Sequence, residues 1–310
     1  MKKITLSTLS RSQLMRQYVI KKLLKKFPLQ INYFLKPNDG ISYHPLIGVK
    51  HDEEVSESII YLSQYFPNCF LDVGANIGLI SLEVATFFKK IICVEPNPIA
   101  CNILRTNTLL NEGNFEIHEI GIGADNELLD LYIPKGNLGG AFVLQKNEYS
   151  AQELAHKDGY QEFNSSNYLV QTIKVQNSVD FIKDNHLNDE SSLVIKIDIE
   201  GQDGKFIDTL MTVLERHFEK KSIAIVFESH NLEFPKKLQS LLQKYDYDVY
   251  NPRIKTTPNM RMPIIRRLLK FLQGEARELQ FWPIMTEMHP VYRNFICAPK
   301  DLLMRQRIDS

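Results

Sequence analysis

From residue 52 onward, short apolar runs alternate with stretches of helical period. Cys69–Val73, Ile91–Val94, Phe115–Ile120, Leu193–Ile197 and Ile223–Phe227 are predicted strands. Gly78–Phe88, the segment from Asn97-Pro98 to about Asn111, and residues 202–218 and 233–244 carry apolar positions at helical spacing. Asn97-Pro98 is an N-cap followed by a first-turn proline. Strands that alternate with helices predict an α/β fold with a Rossmann-like, doubly wound, mostly parallel sheet. The unbroken apolar run Leu193-Val194-Ile195 fits a strand buried on both faces. Leu128–Ile133 and Tyr168–Val175 instead alternate apolar with polar, as strands of an antiparallel excursion do. Asp246–Tyr250 and Asn294–Ala298 are expected to close the sheet.

The flanks follow a different pattern. Residues 11–27 read as a helix whose apolar positions are separated by Arg11, Arg16, Lys21, Lys22, Lys25 and Lys26. Residues 37–50 open with the turn Pro37-Asn38-Asp39-Gly40 and read as a connector. Residues 251–292, rich in Pro, Arg and Met, interrupt the route to the last strand, and residues 261–272 are again basic and amphipathic. The predicted organisation is therefore a basic helical extension over 1–50, one domain over 51–300 and a tail over 301–310. Within that domain, 251–292 is an insertion expected to help cover an acceptor site. Each basic segment has two readings: contact with an anionic membrane or lipid-linked glycan, or an apolar face packed on the domain with solvated charges.

Composition narrows the class. Lys+Arg and Asp+Glu are equal at 37 each, so no global field draws nucleic acid, and a nucleic-acid partner is not expected. The four cysteines form no CxxC pair and read as reduced core residues. Thr5 to Gln13 is polar where a signal peptide needs an apolar core, and no apolar stretch approaches the ~18 residues of a membrane span. A cytoplasmic protein is the expectation.

The candidate chemistry begins at Phe70-Leu71-Asp72-Val73-Gly74-Ala75-Asn76-Ile77-Gly78, a strand, a glycine turn and a helix start. Gly74 lets the backbone turn and approach a ligand, and Gly78 permits close strand–helix packing. A dinucleotide site needs G-x-G-x-x-G, but Asn76 and Leu79 occupy the second and third glycine positions. Asp72 would repel a pyrophosphate and suits a cation, such as the amino group and sulfonium of S-adenosylmethionine (SAM). Glu95 ends the second strand, where an acid accepts hydrogen bonds from both ribose hydroxyls. Asp72, Gly74, Ala75, Asn76, Gly78, Glu95 and Asn97 are thus the cofactor-binding candidates. An NAD-dependent oxidoreductase or epimerase, and a catalytically inactive scaffold of the same fold, remain alternatives.

Together with three later segments, these residues resemble class I methyltransferases, and more narrowly the FkbM family. Lys196-Ile197-Asp198-Ile199-Glu200-Gly201 is similar to that family's K-x-D-x-E-G. Asn177-Ser178-Val179-Asp180 is similar to the polar lead-in to the preceding helix, and Glu228-Ser229-His230 to its E-x-H. The resemblance covers about residues 52–250. It departs at Ala124, where the family often has an acid; Asp125 stands one position later and is added to the cofactor candidates. It departs again at Asp203, where a Glu is usual. The resemblance implies SAM as cofactor and O-methylation of sugars in glycans or of natural products. Asp198, Glu200 and His230 are the catalytic candidates, His230 because imidazole is the better base near neutral pH. Lys196, inside an apolar strand, is either paired with an acid or turned to the substrate. Asp198, Glu200 and Glu228 could together hold Mg²⁺, but no metal is expected.

Overall fold

The computed structural model describes residues 31–36, 39–46, 50–145, 150–157, 159–199, 203–229, 232–256, 277–284 and 294–304. Helices α1 (Tyr43–Leu46) and α2 (Glu53–Ser63) precede strand β1 (Cys69–Val73), which runs through the glycine loop into α3 (Leu79–Val84). Next come β2 (Lys90–Val94), α4 (Pro98–Leu109) and β3 (Phe115–His118). An excursion follows: β4 (Gly121–Gly123), β5 (Glu127–Pro134), β6 (Phe142–Val143), α5 (Ala151–Lys157) and β7 (Tyr168–Asn177). The chain returns through α6 (Ser178–Asp184), β8 (Leu193–Ile197), α7 (Asp203–Val213), α8 (Glu215–Glu219), β9 (Ile223–Glu228) and α9 (Glu233–Leu242). The remaining elements are β10 (Tyr247–Thr256), β11 (Arg277–Pro283), β12 (Asn294–Pro299) and α10 (Lys300–Met304).

The main sheet has the order β11-β10-β12-β9-β8-β1-β2-β3. The five strands from β9 to β3 are parallel, while β12, β10 and β11 join antiparallel at the other side. This is the Rossmann-like, doubly wound sheet expected from the alternation. Chain order reverses between β1 and β8, so their carboxyl ends border the crevice where such sheets take ligands. Every residue of β1 and β8 is buried. Cys69, Leu71 and Val73 face one core cluster with Phe181, Ile195 and Leu210, and Phe70 faces the other with Ile59, Ile80 and Val194. The strand's period of two therefore turns Asp72 to the Phe70 face.

The excursion forms a second sheet, ordered β4-β7-β5-β6, with β5 and β7 antiparallel. Its Leu131, Ile133, Ile173 and Val175 pack with Ile77, Leu79 and Ala100, which fixes the small sheet over the glycine loop. Side-chain caps mark two of the helix starts read from sequence. Asn97 accepts from the N–H groups of Ile99 and Ala100, and Asn177 from those of Val179 and Asp180.

Some boundaries differ from the pattern. The helix predicted over Gly78–Phe88 starts at Leu79, stops at Val84 and finishes as a 3₁₀ turn, Ala85–Phe87. Thr86, Phe87 and Phe88 are poor helix formers. Within 251–292, Tyr250–Thr256 pairs with Arg277–Pro283, so part of the interruption is sheet. Phe281 packs on Tyr61, with ring centroids 5.3 Å apart, and the Arg253 guanidinium lies 4.7 Å over the Trp282 ring. Residues 11–27 and 261–272, including Arg261, Arg266, Arg267 and Lys270, lie outside the described residues. All four cysteines are buried and unpaired. Among the described residues no helix is long and apolar enough to cross a membrane.

Leu71 is wholly buried in β1 at the centre of the sheet. Leu71→Ala is expected to lower unfolding stability by about 2–5 kcal/mol, through lost transfer energy plus the cavity left behind. Urea unfolding measures this, and a midpoint equal to wild type would contradict the packing described.

Candidate active site

A cavity of about 420 Å³ opens at the carboxyl ends of β1 and β8, within the range of about 300–1,000 Å³ typical of small-molecule sites. Its floor is the glycine loop. The N–H groups of Gly74 and Ala75 both donate to the Val94 carbonyl at 3.0 Å, which folds the loop back over β2. Gly74 has φ +79°, and a Cβ there would lie 2.0 Å from the Asp198 carbonyl oxygen. Only glycine fits a backbone so close to another strand. Asn76 also takes a left-handed conformation, φ 51°, which Asn tolerates better than most residues.

Beside the loop sits a buried charge network. Lys196 is the Cα partner of Asp72 across β8 and β1. Its Nζ lies 3.1 Å from Asp72 Oδ1, 3.3 Å from the Gly74 carbonyl and 3.4 Å from Asp198 Oδ2. The other Asp72 oxygen accepts from the Ser81 hydroxyl at 2.6 Å. Burial disfavours the charge on Lys196, but Asp72 and Asp198 outweigh it and hold the ammonium above the ordinary lysine range. Of the two readings of Lys196, pairing with an acid is the one observed. Asp72, expected to face a cationic ligand, lines the cavity with both oxygens already engaged by Lys196 and Ser81.

Glu95 lies at the end of β2 and is buried. Its Oε2 accepts from the Asn76 N–H at 2.7 Å, and its Oε1 from the Asn97 N–H at 2.8 Å. Burial pushes its pKa up to about 7; the two N–H donors and Lys196 pull the other way, while Asp72 adds to the rise. Each oxygen keeps a lone pair for a further donor.

The cavity is lined by Asp72, Gly74, Ala75, Asn76, Glu95, Asp125 and Asp198 from the sequence-based set. Gly78 and Asn97 do not line it. Gly78 is the left-handed N-cap of α3 and faces Leu104, where a Cβ would lie 2.6 Å from a side-chain methyl. Asn97 spends its carbonyl on the cap of α4 and its amide on Leu138 O, 3.3 Å away. Glu200 and His230 lie outside the described residues. Among the described residues no group of three His, Cys, Asp or Glu side chains could hold a metal.

Three lining residues come from the segment read as a connector and the turn after it: Ile41, His51 and Asp52. Asp39 pins this segment, accepting from the Leu138 N–H at 2.8 Å and from Ser42 N at 3.1 Å. His51 and Asp52 stand where the alternation of strands and helices begins, and no motif in the sequence marks them. The second sheet supplies Leu129, Leu131, Phe142, Ile173 and Val175.

The charge of the lining decides what it suits. Asp52, Asp72, Glu95, Asp125, Glu127 and Asp198 stand against Lys196 and Lys205. Such a surface repels pyrophosphate and favours a cation bearing hydroxyl donors. Asn76 Oδ1 is buried without a hydrogen-bond partner among the described residues, as is expected of an acceptor reserved for a ligand. Acceptors, net negative charge and a close-approach glycine all fit SAM, with its sulfonium, ammonium and ribose hydroxyls.

Gly74→Ala tests the close approach. The added methyl meets Asp198 backbone and also requires a positive φ, so β1 and β8 must separate. Destabilisation of more than about 1 kcal/mol is expected, with weakened binding of S-adenosylhomocysteine. A variant that melts with wild type and binds the same ligand normally would refute the assignment.

Among solved structures, the chain is similar to a precorrin-8W decarboxylase from Methanobacterium thermoautotrophicum, with 12% identity over 86% of this chain and 95% of that one, TM-score 0.38. It is similar to a precorrin-6y C5,15-methyltransferase from Geobacter metallireducens GS-15, with 12% identity, 87% and 95% coverage and TM-score 0.37. The magnesium protoporphyrin IX methyltransferase of Synechocystis PCC 6803, solved with bound SAM, gives 7% identity, 96% and 100% coverage and TM-score 0.33. The fold assignment rests on the strand order above and not on these values. None of the curated proteins matches the chain. The family model for the methyltransferase FkbM domain matches residues 72–249, more than half of the chain and the whole run from the glycine-loop acid through β9. This chain belongs to the FkbM family of methyltransferases, and its methyl donor is SAM.

Proposed function

We propose that the enzyme methylates a hydroxyl oxygen, in a sugar of a glycan or in a related natural product. The observation that carries this reading is Asp198, whose side chain is 41% exposed at the cavity while one oxygen is tethered 3.4 Å from Lys196. A carboxylate fixed in this way accepts a hydrogen bond from a neighbouring hydroxyl of the acceptor and so orients the ring that presents the reacting oxygen. SAM supplies an electrophilic methyl group. The protein's task is then to hold three atoms in line and to receive one proton.

Each other residue has a role that its surroundings support. Glu95 takes the ribose hydroxyls on its free lone pairs. Asn76 Oδ1 offers one more acceptor, and Asp125 stands at the rim beside Ala124 and Gly123. Gly74 keeps the loop low enough for the cofactor to lie against the backbone. Lys196 neutralises Asp72 and restrains Asp198, so the acceptor meets a carboxylate with one preferred orientation.

Two outcomes check these roles. Hydroxyl donors prefer an ionised acceptor, and Glu95 is protonated below a pKa of about 7. The affinity of S-adenosylhomocysteine, measured by calorimetry, is therefore expected to rise as pH increases through about 7 and then level off. Glu95→Gln should bind more weakly and lose that rise; a variant with the wild-type profile would remove Glu95 from the ribose site. Asp198→Asn is expected to leave S-adenosylhomocysteine affinity within about twofold while slowing transfer of labelled methyl to an extracted glycan fraction by about tenfold or more. Label found only on nitrogen or carbon would overturn the hydroxyl reading.

A further inference from the structure

His51 lies outside the residues 72–249 that the family model matches, yet it lines the same cavity as Asp198 and Asp72. Its Nδ1 is buried with no hydrogen-bond partner among the described residues. Its Nε2 lies 3.4 Å from Asp52 Oδ2. At that distance the carboxylate charge favours the tautomer with its proton on Nε2, which leaves a lone pair on Nδ1. The same division of labour orients the imidazole of a hydrolase triad. Asp52 is itself held in an unusual backbone conformation, φ 44° and ψ 57°, at the start of α2. Its carbonyl is bound by the Val55 and Ser56 N–H groups at 2.8 and 3.1 Å, so the helix start maintains the strain. Non-glycine residues in this region cluster at functional sites.

We infer that His51 is the base that takes the proton of the acceptor hydroxyl, and that Asp52 is the positioning residue that keeps Nδ1 unprotonated. The inference rests on the hydroxyl reading above. As the oxygen–carbon bond forms, the hydroxyl proton passes to Nδ1. The methyl–sulfur bond breaks, and its electron pair stays on sulfur, giving S-adenosylhomocysteine. The resulting imidazolium is paired with Asp52 until it gives its proton to solvent. The charged and titratable groups facing the ring are Asp52, His44, Asp198 and Lys196. The His44 ring stands 5.1 Å away and tilted by 54°. Burial lowers the His51 pKa, reinforced by His44 and Lys196; Asp52 and Asp198 oppose this without reversing it. The imidazole is thus neutral, and able to accept a proton, at pH 7.

The test has two arms on the full chain. In the first, long-range proton–nitrogen spectra of ¹⁵N-histidine protein are recorded from pH 5 to pH 9, with the His51 signals assigned from His51→Gln. A neutral ring protonated on Nε2, titrating below the ordinary value of about 6.5, is expected. A ring protonated on Nδ1, or still charged at pH 8, overturns the inference whatever the acceptor. In the second arm, methyl-labelled SAM is supplied with an extracted lipid-linked glycan fraction. His51→Gln is expected to lose about 100-fold or more in rate and the rising limb of the wild-type pH profile, with S-adenosylhomocysteine affinity unchanged. Oxygen methylation at the wild-type rate and pH profile in His51→Gln would reject His51 while leaving the hydroxyl reading intact. Wild-type label confined to nitrogen or carbon would reject both.

Discussion

Lys196 carries a charge where water hardly reaches, and the site is arranged around satisfying it. An ammonium has three protons to place. Here the three nearest acceptors are the Asp72 carboxylate, the Gly74 carbonyl and the Asp198 carboxylate. Those acceptors come from the end of β1, the glycine loop and the end of β8. One cation therefore ties together the two strands at which chain order reverses. A buried pair of this kind gains little over a well-packed apolar pair, but removing one partner costs several kcal/mol, because an uncompensated charge remains. Its value here is positional: it fixes the distance between the glycine loop and the Asp198 carboxylate.

The other constraints follow from that distance. With β1 and β8 in register, the Gly74 backbone lies against Asp198 so closely that no side chain fits between them. The loop then returns to β2, and its Asn76 N–H reaches Glu95. Glu95 is thus held by the same loop that forms the floor of the cavity. Its raised pKa is the consequence of being buried with two dipoles and no full positive partner of its own, since Lys196 is committed to Asp72 and Asp198.

The walls come from the second sheet, inside the matched residues, and from a segment that precedes them. The small sheet lays Leu131, Ile173 and Val175 against Ile77 and Leu79. Gly139 comes so near the glycine loop that a Cβ would touch both Ile41 and the Asn76 amide. Ile41, His51 and Asp52 line the same cavity as Asp198. The central strands thus supply the floor of the cavity, while its walls are built from pieces that lie apart in sequence.

The sequence by itself determined the sheet and the loop. Continuous apolar runs specify doubly buried strands, the period of two and the cap at Asn97 locate elements, and Asp72, Gly74 and Glu95 mark residues that line the cavity. These are local properties, set by neighbours along the chain. Tertiary structure alone decided three things. It paired Lys196 with Asp72, because parallel register sets residues 124 apart side by side. It turned residues 277–283 into an edge strand, because pairing with β10 outweighs weak local preference. It placed His51 at the cavity, because α2 packs Val55 and Ile59 against Ile80 and Val84 of α3 and so sets its start beside the glycine loop. Contacts of that range depend on how the whole chain packs, and no local pattern of hydrophobic and polar positions encodes them.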